Sequence, residues 1–243
     1  IMSDKKVIES SKNQRENVFV YNENIIFDSN GIDNEIKKRL FDPLYYHGLI
    51  GVTGRLIKRS IIESNNLFFQ EGLRYLEDEI FSWDLISHCK KVMYLREQLY
   101  FHNLYPNTKT GISEGISSGY SVTNFNIAKQ HVYNCFKQRG FLIEEAKKLS
   151  EQALIFFVIQ ALVSYSRSII LKKVDTKKGL IVRKELISKI INDNDIKQAI
   201  KNYKRSKNEN KWIPIAINWR ISKLIEISCN FRAKDIIKIK RKN

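Results

Sequence analysis

Apolar positions along this chain change their spacing near its midpoint. In the first part, short apolar runs alternate with polar stretches. ENVFVYNENIIFD (16–28) predicts two short strands around Asn22-Glu23-Asn24, paired as a hairpin. A polar helix follows over about 32–40 and stops before Pro43. LIGVTGRLIKRSIIESNN (49–66) starts strand-like and turns into a short helix whose two closing asparagines suit a C-terminal cap. LFF (67–69) is extended. From Glu77 to about Cys89, the apolar Ile80, Phe81, Leu85 and Ile86 recur at helical spacing. KVMYL (91–95) and QLYFHN (98–103) predict two more strands. This alternation points to α/β packing.

After about residue 115 the pattern is helical. Val122, Phe125, Ala128, Val132 and Cys135 share one face, and Gly140 stops that helix. A longer helix is expected over 143–172 and another over about 180–192. NDNDIKQAIKNYK begins a further one, with Asp193 or Asn194 as its cap. The run ALIFFVIQALV (153–163) is about half the length of a bilayer span, which favours a buried core helix.

Composition narrows the options. The 243 residues can bury a sizeable core, and 3 prolines with 10 glycines favour long helices. Three scattered cysteines, Cys89, Cys135 and Cys229, form neither a CxxC motif nor a disulfide framework, in keeping with a reducing, cytoplasmic setting. The opening IMSDKKVIES lacks the apolar run of a secretory leader, and Ile1 before Met2 suggests a piece of a longer protein. The net charge is +16. Residues 201–243 hold thirteen Lys and Arg against three Asp and Glu, so this segment carries ten of the sixteen net charges. Against that background YLEDEIF (75–81) gathers three carboxylates, Glu77, Asp78 and Glu79, between core-forming residues. First-turn helix carboxylates account for them, and so does a catalytic base.

The ordered pieces around that cluster resemble a known family. TGRLIKRSII, LFFQEG, LEDEIFSWDLI, KVMYL and LYFHNLYPNTKTGIS, all within residues 49–113, are similar to the second half of the catalytic domain of family 2 glycosyltransferases, bacterial enzymes of capsule, lipooligosaccharide and O-antigen synthesis. The resemblance covers about a quarter of the chain. It implies an α/β fold of GT-A type, present as a partial half-domain of short strands and helices over 1–115. A mainly helical region (116–200) and a basic amphipathic tail (201–243) would follow. The family's opening strand and its Asp-x-Asp motif are absent, FDSN (27–30) and DND (193–195) being the nearest strings. The donor-binding half is therefore expected to be missing, with no sugar transfer by this chain alone. The divalent metal, Mg or Mn, would belong to the complete enzyme.

The resemblance also assigns roles. Asp78 matches the family's general base, which takes the proton of the acceptor hydroxyl, and Glu77 is its supporting neighbour. A first helical turn suits the base, because its free N–H groups and the helix dipole favour negative charge. Glu79 is expected to be a solvated charge. Arg55 could lie near the diphosphate or acceptor, although basic residues are ordinarily solvated. Trp83 could stack on a sugar ring, with core packing as the plainer role. Lys109 and Ser113 fall in the family's active-site loop. His102 lies near a third metal-ligand position of some GT-A enzymes, though a strand-edge histidine is more often ordinary polar surface.

Two functions compete. One is an inverting transfer of a sugar from a nucleotide-sugar donor to a glycan or lipid-linked acceptor. The other is a non-catalytic basic helical module that binds nucleic acid or an anionic membrane surface. No zinc-finger, RNP-type or Gly-rich phosphate motif supports nucleic acid. The tail instead offers Trp212, Trp219 and a stripe of Ile221, Leu224 and Ile225 flanked by Arg220 and Lys223, suited to the inner face of the plasma membrane.

Overall fold

The computed structural model describes residues 2–9, 14–18, 21–41, 49–73, 75–104, 120–172, 175–206 and 209–242, with side chains omitted for 2–9, 14–18, 101–104 and 239–242. The chain is helix-rich α/β. Strands β1 (Met2–Glu9), β2 (Gln14–Val18), β3 (Ile25–Phe27) and β4 (Val92–Leu104) form one sheet in the order β2-β1-β4-β3. Helices α1 (Ser29–Phe41), α2 (Arg59–Ser64) and α3 (Glu77–Ser87) lie between β3 and β4 in sequence. Then come α4 (Val122–Gln138), α5 (Ile143–Ile170), α6 (Thr176–Asn192), α7 (Asn194–Ala199), a 3-10 turn over 200–202, α8 (Trp212–Asn218) and α9 (Ser222–Lys242).

The predicted hairpin over 16–28 does not form. Its first strand segment pairs antiparallel with β1, its second pairs antiparallel with β4, and the two occupy opposite edges of the sheet. β1 runs parallel to β4, a pairing that requires a long crossover, here the chain through α1, α2 and α3. The two strands predicted at 91–95 and 98–103 are one strand. Along it Ser3 faces Leu95 and Asp4 faces Gln98, so Arg96 and Glu97 bulge out of the ladder. Residues 49–58 hold no regular strand, and Gly51 (φ 136°) and Gly54 (φ 67°) break the extended run. The short α2 follows, and Asn66 closes it in the left-handed conformation (φ 49°).

The helical half keeps the expected elements. Ser121 accepts a hydrogen bond from Asn124 N at 3.1 Å and starts α4, whose Phe125, Ala128, Val132 and Cys135 are buried. Gly140 (φ 88°) ends it. Asp193 caps α7 by accepting from Ile196 N. α6 begins at Thr176 instead of about 180, because Asp175 accepts from Lys178 N at 2.8 Å and adds a turn.

α5, 28 residues long, is the centre of the core, with Ala153, Leu154, Ile155, Phe157, Val158, Ala161 and Leu162 all essentially out of solvent. Among the described residues it is the one helix long and apolar enough to cross a membrane, and 67% of its most apolar window is buried inside the fold. Its polar groups find protein partners: the Gln152 side chain donates to the carbonyls of Leu40 and Lys204 and accepts from Lys204 N. One continuous hydrophobic core joins Phe27, Ile36, Ile80, Phe125, Phe157, Ile190, Ile217 and Ile225.

The tail stripe expected to lie free does not. Ile225 is fully buried, Leu224 packs against the core and α9 rests on α5, leaving only Ile221 substantially exposed. The periodicity that suggests a lipid-facing stripe is satisfied by another helix. Trp212 and Trp219 remain exposed.

Burial also governs the thiols. It raises the Cys135 thiol far above its ordinary value and Cys229 to about 12, and raises the half-buried Cys89 as well. In the folded protein a thiol reagent is therefore expected to reach Cys89 first, and Cys135 and Cys229 only on unfolding. Pulsed labelling read by mass spectrometry checks this. Early modification of Cys229 would mean that α9 is not docked on α5.

Candidate active site

The acidic cluster begins with a turn in the left-handed region. Leu76, the residue that precedes α3, has φ 70° while its side chain is buried. For a leucine this conformation costs about 1 kcal/mol or more, so the surrounding packing enforces it. The turn leaves Asp78 exposed and Glu77 half-exposed in the first turn of α3, while Ile80, Trp83 and Ile86 enter the core.

Two loops close on this helix. Gly51 N donates to Ser82 Oγ at 3.0 Å, and Ser82 Oγ donates to Asp78 O at 2.6 Å, so the 49–55 segment is tied to the first turns of α3. Phe69 stacks on Phe81 with ring centroids 4.4 Å apart and planes within 9°, which ties the 67–72 segment to the same helix. Both segments therefore pack on the first turns of α3, the helix that carries the carboxylates. Asp78 Oδ1 accepts from Glu79 N at 2.8 Å. The result is an exposed carboxylate on a rigid mount, able to accept a proton from a bound hydroxyl group.

Glu79 is not a solvated charge. Its Oε1 accepts from Arg39 Nη2 at 2.5 Å, with both side chains largely buried, and the Arg39 guanidinium lies over the Phe156 ring at 4.7 Å. The 40-residue separation hides this pair from sequence reading. Glu79→Gln is expected to lower the unfolding free energy by about 1–3 kcal/mol, because the buried Arg39 loses its counter-charge. Urea denaturation reads this directly, and an unmoved midpoint would show that the pair contributes nothing.

The other predicted site residues fare differently. Trp83 is completely buried against Phe136, so it is a core residue and not a platform for a sugar ring. The Arg55 side chain is partly exposed, yet its Nε is out of contact with solvent. Burial lowers the Arg55 guanidinium to about 10, with Tyr21 and Cys89 acting in the opposite direction. Arg55 Nη2 lies beside Gly51, the residue bonded to Ser82, so the guanidinium packs against the 49–55 segment. Lys109, Ser113 and the side chain of His102 lie outside the described residues. No group of three or more His, Cys, Asp or Glu side chains that could hold a metal occurs among the described residues.

Several partnerships had no signature in the sequence. Ser82 sits four residues after Asp78, a spacing that permits the helix-internal bond but does not announce the tie to Gly51. His131 Nδ1 lies 2.7 Å from Asp84 Oδ1, joining α4 to α3. Arg139, at the end of α4, holds Asp33, Ser29 and the last carbonyls of α3 together. No protein-family model matches the chain, and no curated protein matches it.

Proposed function

We propose that the protein supplies the acceptor side and the general base of a family 2 glycosyltransferase of GT-A type, acting in the synthesis of a bacterial surface polysaccharide. The observation that supports this most directly is the convergence of the 49–55 and 67–72 segments on the first turns of α3, beside an exposed Asp78. These are three of the pieces on which the resemblance rests, and their packing on the helix that carries Asp78 suits an acceptor site of that type.

In the proposed reaction an acceptor hydroxyl attacks the anomeric carbon of the donor sugar. A new C–O bond forms on one face while the bond to the nucleotide diphosphate breaks on the other, so the configuration inverts. The diphosphate leaves with the bonding electron pair, and the hydroxyl proton passes to Asp78. The role of the chain's own residues is positional: the Leu76 turn and the Ser82 bond to the Asp78 carbonyl fix the backbone that carries the base, and Glu79 N orients its carboxylate, which limits the reorganisation left for the reaction itself.

The test uses the source cell. Membranes from cells with and without the gene are incubated with a panel of labelled nucleotide-sugars. The proposal expects one sugar to enter glycan or glycolipid only where the gene is present. Identical incorporation of every sugar in both membranes would remove it.

A further inference from the structure

α9 has two faces. Ile225, Cys229 and Ala233 are buried against the bundle. On the outward side, at steps of three and four residues, stand Ile227, Phe231, Lys234 and Lys238, with Ile227 43% and Phe231 61% exposed. A groove of about 180 Å³ runs along this line between Ile227, Asn230, Phe231 and Lys234. Two acids share this stretch: Glu226, 8% exposed and paired with Lys223 at 3.7 Å, stands one turn before Asn230, and Asp235 stands one turn after Phe231.

A second observation lies beneath the groove. Arg183 of α6 is only 3% exposed; its Nη1 donates to Asn230 Oδ1 at 2.7 Å and to Ser166 Oγ at 3.1 Å. Its Nε makes no hydrogen bond, and no carboxylate pairs with it among the described residues. A buried guanidinium without a counter-charge is costly, and an anion drawn up to the groove would offset part of that cost. Because the Asn230 carbonyl oxygen faces Arg183, its amide N–H groups, which bond to nothing among the described residues, are left to meet such an anion.

We propose that this face of α9 rests on an anionic phospholipid surface. Ile227 and Phe231 enter the boundary between headgroups and acyl chains, while Lys234, Lys238 and the Asn230 amide meet lipid phosphates and Arg183 adds positive potential from below. The proposal stands apart from the sugar-transfer reading and uses different residues. The chemistry favours lipid over other occupants. An aliphatic Ile227 beside Phe231 has little to offer a phosphate backbone, and a dimer through this face would bring together two segments that each hold thirteen Lys and Arg against three Asp and Glu. The concentration of charge in residues 201–243 adds long-range attraction to such a surface.

The test is co-sedimentation of the whole protein with vesicles of phosphatidylcholine alone and of phosphatidylcholine with phosphatidylglycerol. Binding is expected only to the anionic vesicles and is expected to weaken with salt. Lys234→Glu with Lys238→Glu should weaken it at least about tenfold, and Ile227→Glu with Phe231→Glu should do the same. Leu142→Glu, at an even more exposed apolar residue before α5, should change nothing. Circular dichroism and thermal melting confirm that each variant remains folded. Equal pelleting with both vesicle types, no pelleting at all, or unchanged binding by the Ile227/Phe231 variant would overturn the proposal. So would finding that these residues govern binding to duplex DNA or dimerisation while vesicle binding is unaffected.

Discussion

Asp78→Asn is expected to yield a folded protein that no longer supports sugar transfer in cells lacking the native gene. The amide keeps the size and shape of the carboxylate but cannot take a proton, and loss of a general base lowers the rate by on the order of 10²–10⁴. Little structural damage should accompany this. Asp78 is exposed, and the one hydrogen bond of its side chain, from the adjacent Glu79 N, can also be accepted by an amide oxygen. Loss of a negative charge from the first turn of α3 costs about 0.3–1 kcal/mol, which is small beside the catalytic effect. Glu144→Gln, at an exposed first-turn carboxylate of α5, serves as the comparison and should be mild. Restoration of the cell's surface glycan, with quantified incorporation of labelled sugar, measures both variants. Near-normal incorporation by Asp78→Asn would show that another group is the base.

Arg139→Met is expected to be the most destabilising single change, at about 3–5 kcal/mol, because it leaves a carboxylate and several carbonyls without their partner. The Arg139 side chain is almost wholly buried. Its Nε donates to Asp33 Oδ1, its Nη1 to the carbonyls of Ile86 and Cys89 at 2.9 and 3.0 Å, and its Nη2 to Ser29 O and Oγ at 2.9 and 3.0 Å. One planar fork thereby joins the start of α1 and the end of α3 to the end of α4. It also places positive charge at the C-terminal end of α3, which the helix dipole favours. Native domains are stable by only about 5–15 kcal/mol, so the loss would consume much of the margin. Arg139→Lys keeps the charge but not the fork and should recover only part of the stability. Urea denaturation measures the series, and a loss below about 1 kcal/mol for Arg139→Met would contradict the assigned role. Because the same fork anchors the C-terminal end of α3, the variant also tests how firmly the mount of Asp78 is held.

What the sequence determined by itself is local. The 3.6-residue recurrence of apolar positions, the Asp193 cap and the Gly140 stop are enough to place α4, α5 and α7, since each depends on residues within one or two turns. α6 starts one turn before its apolar period does, because Asp175 caps it at Thr176. Partnership is another matter. Alternation within 16–28 marks extended segments but carries nothing about which strand each one joins, and the sheet sends them to opposite edges. Glu79 looks like any first-turn acid, Arg139 like any surface arginine, and the Ile221, Leu224 and Ile225 stripe like a lipid-facing one. Only the approach of Arg39, of the α3 carbonyls and of α5 makes the first two buried partners and turns most of that stripe inward. The same holds for the proposed site: the acidic triplet and its helix are legible in the sequence, whereas the ties from Gly51 through Ser82 and from Phe69 to Phe81 are not. The physical reason is common to all of them. Propensity and periodicity act over a few residues of chain, while burial and charge pairing are set by whichever segments the core brings within a few ångströms, however far apart they lie in sequence.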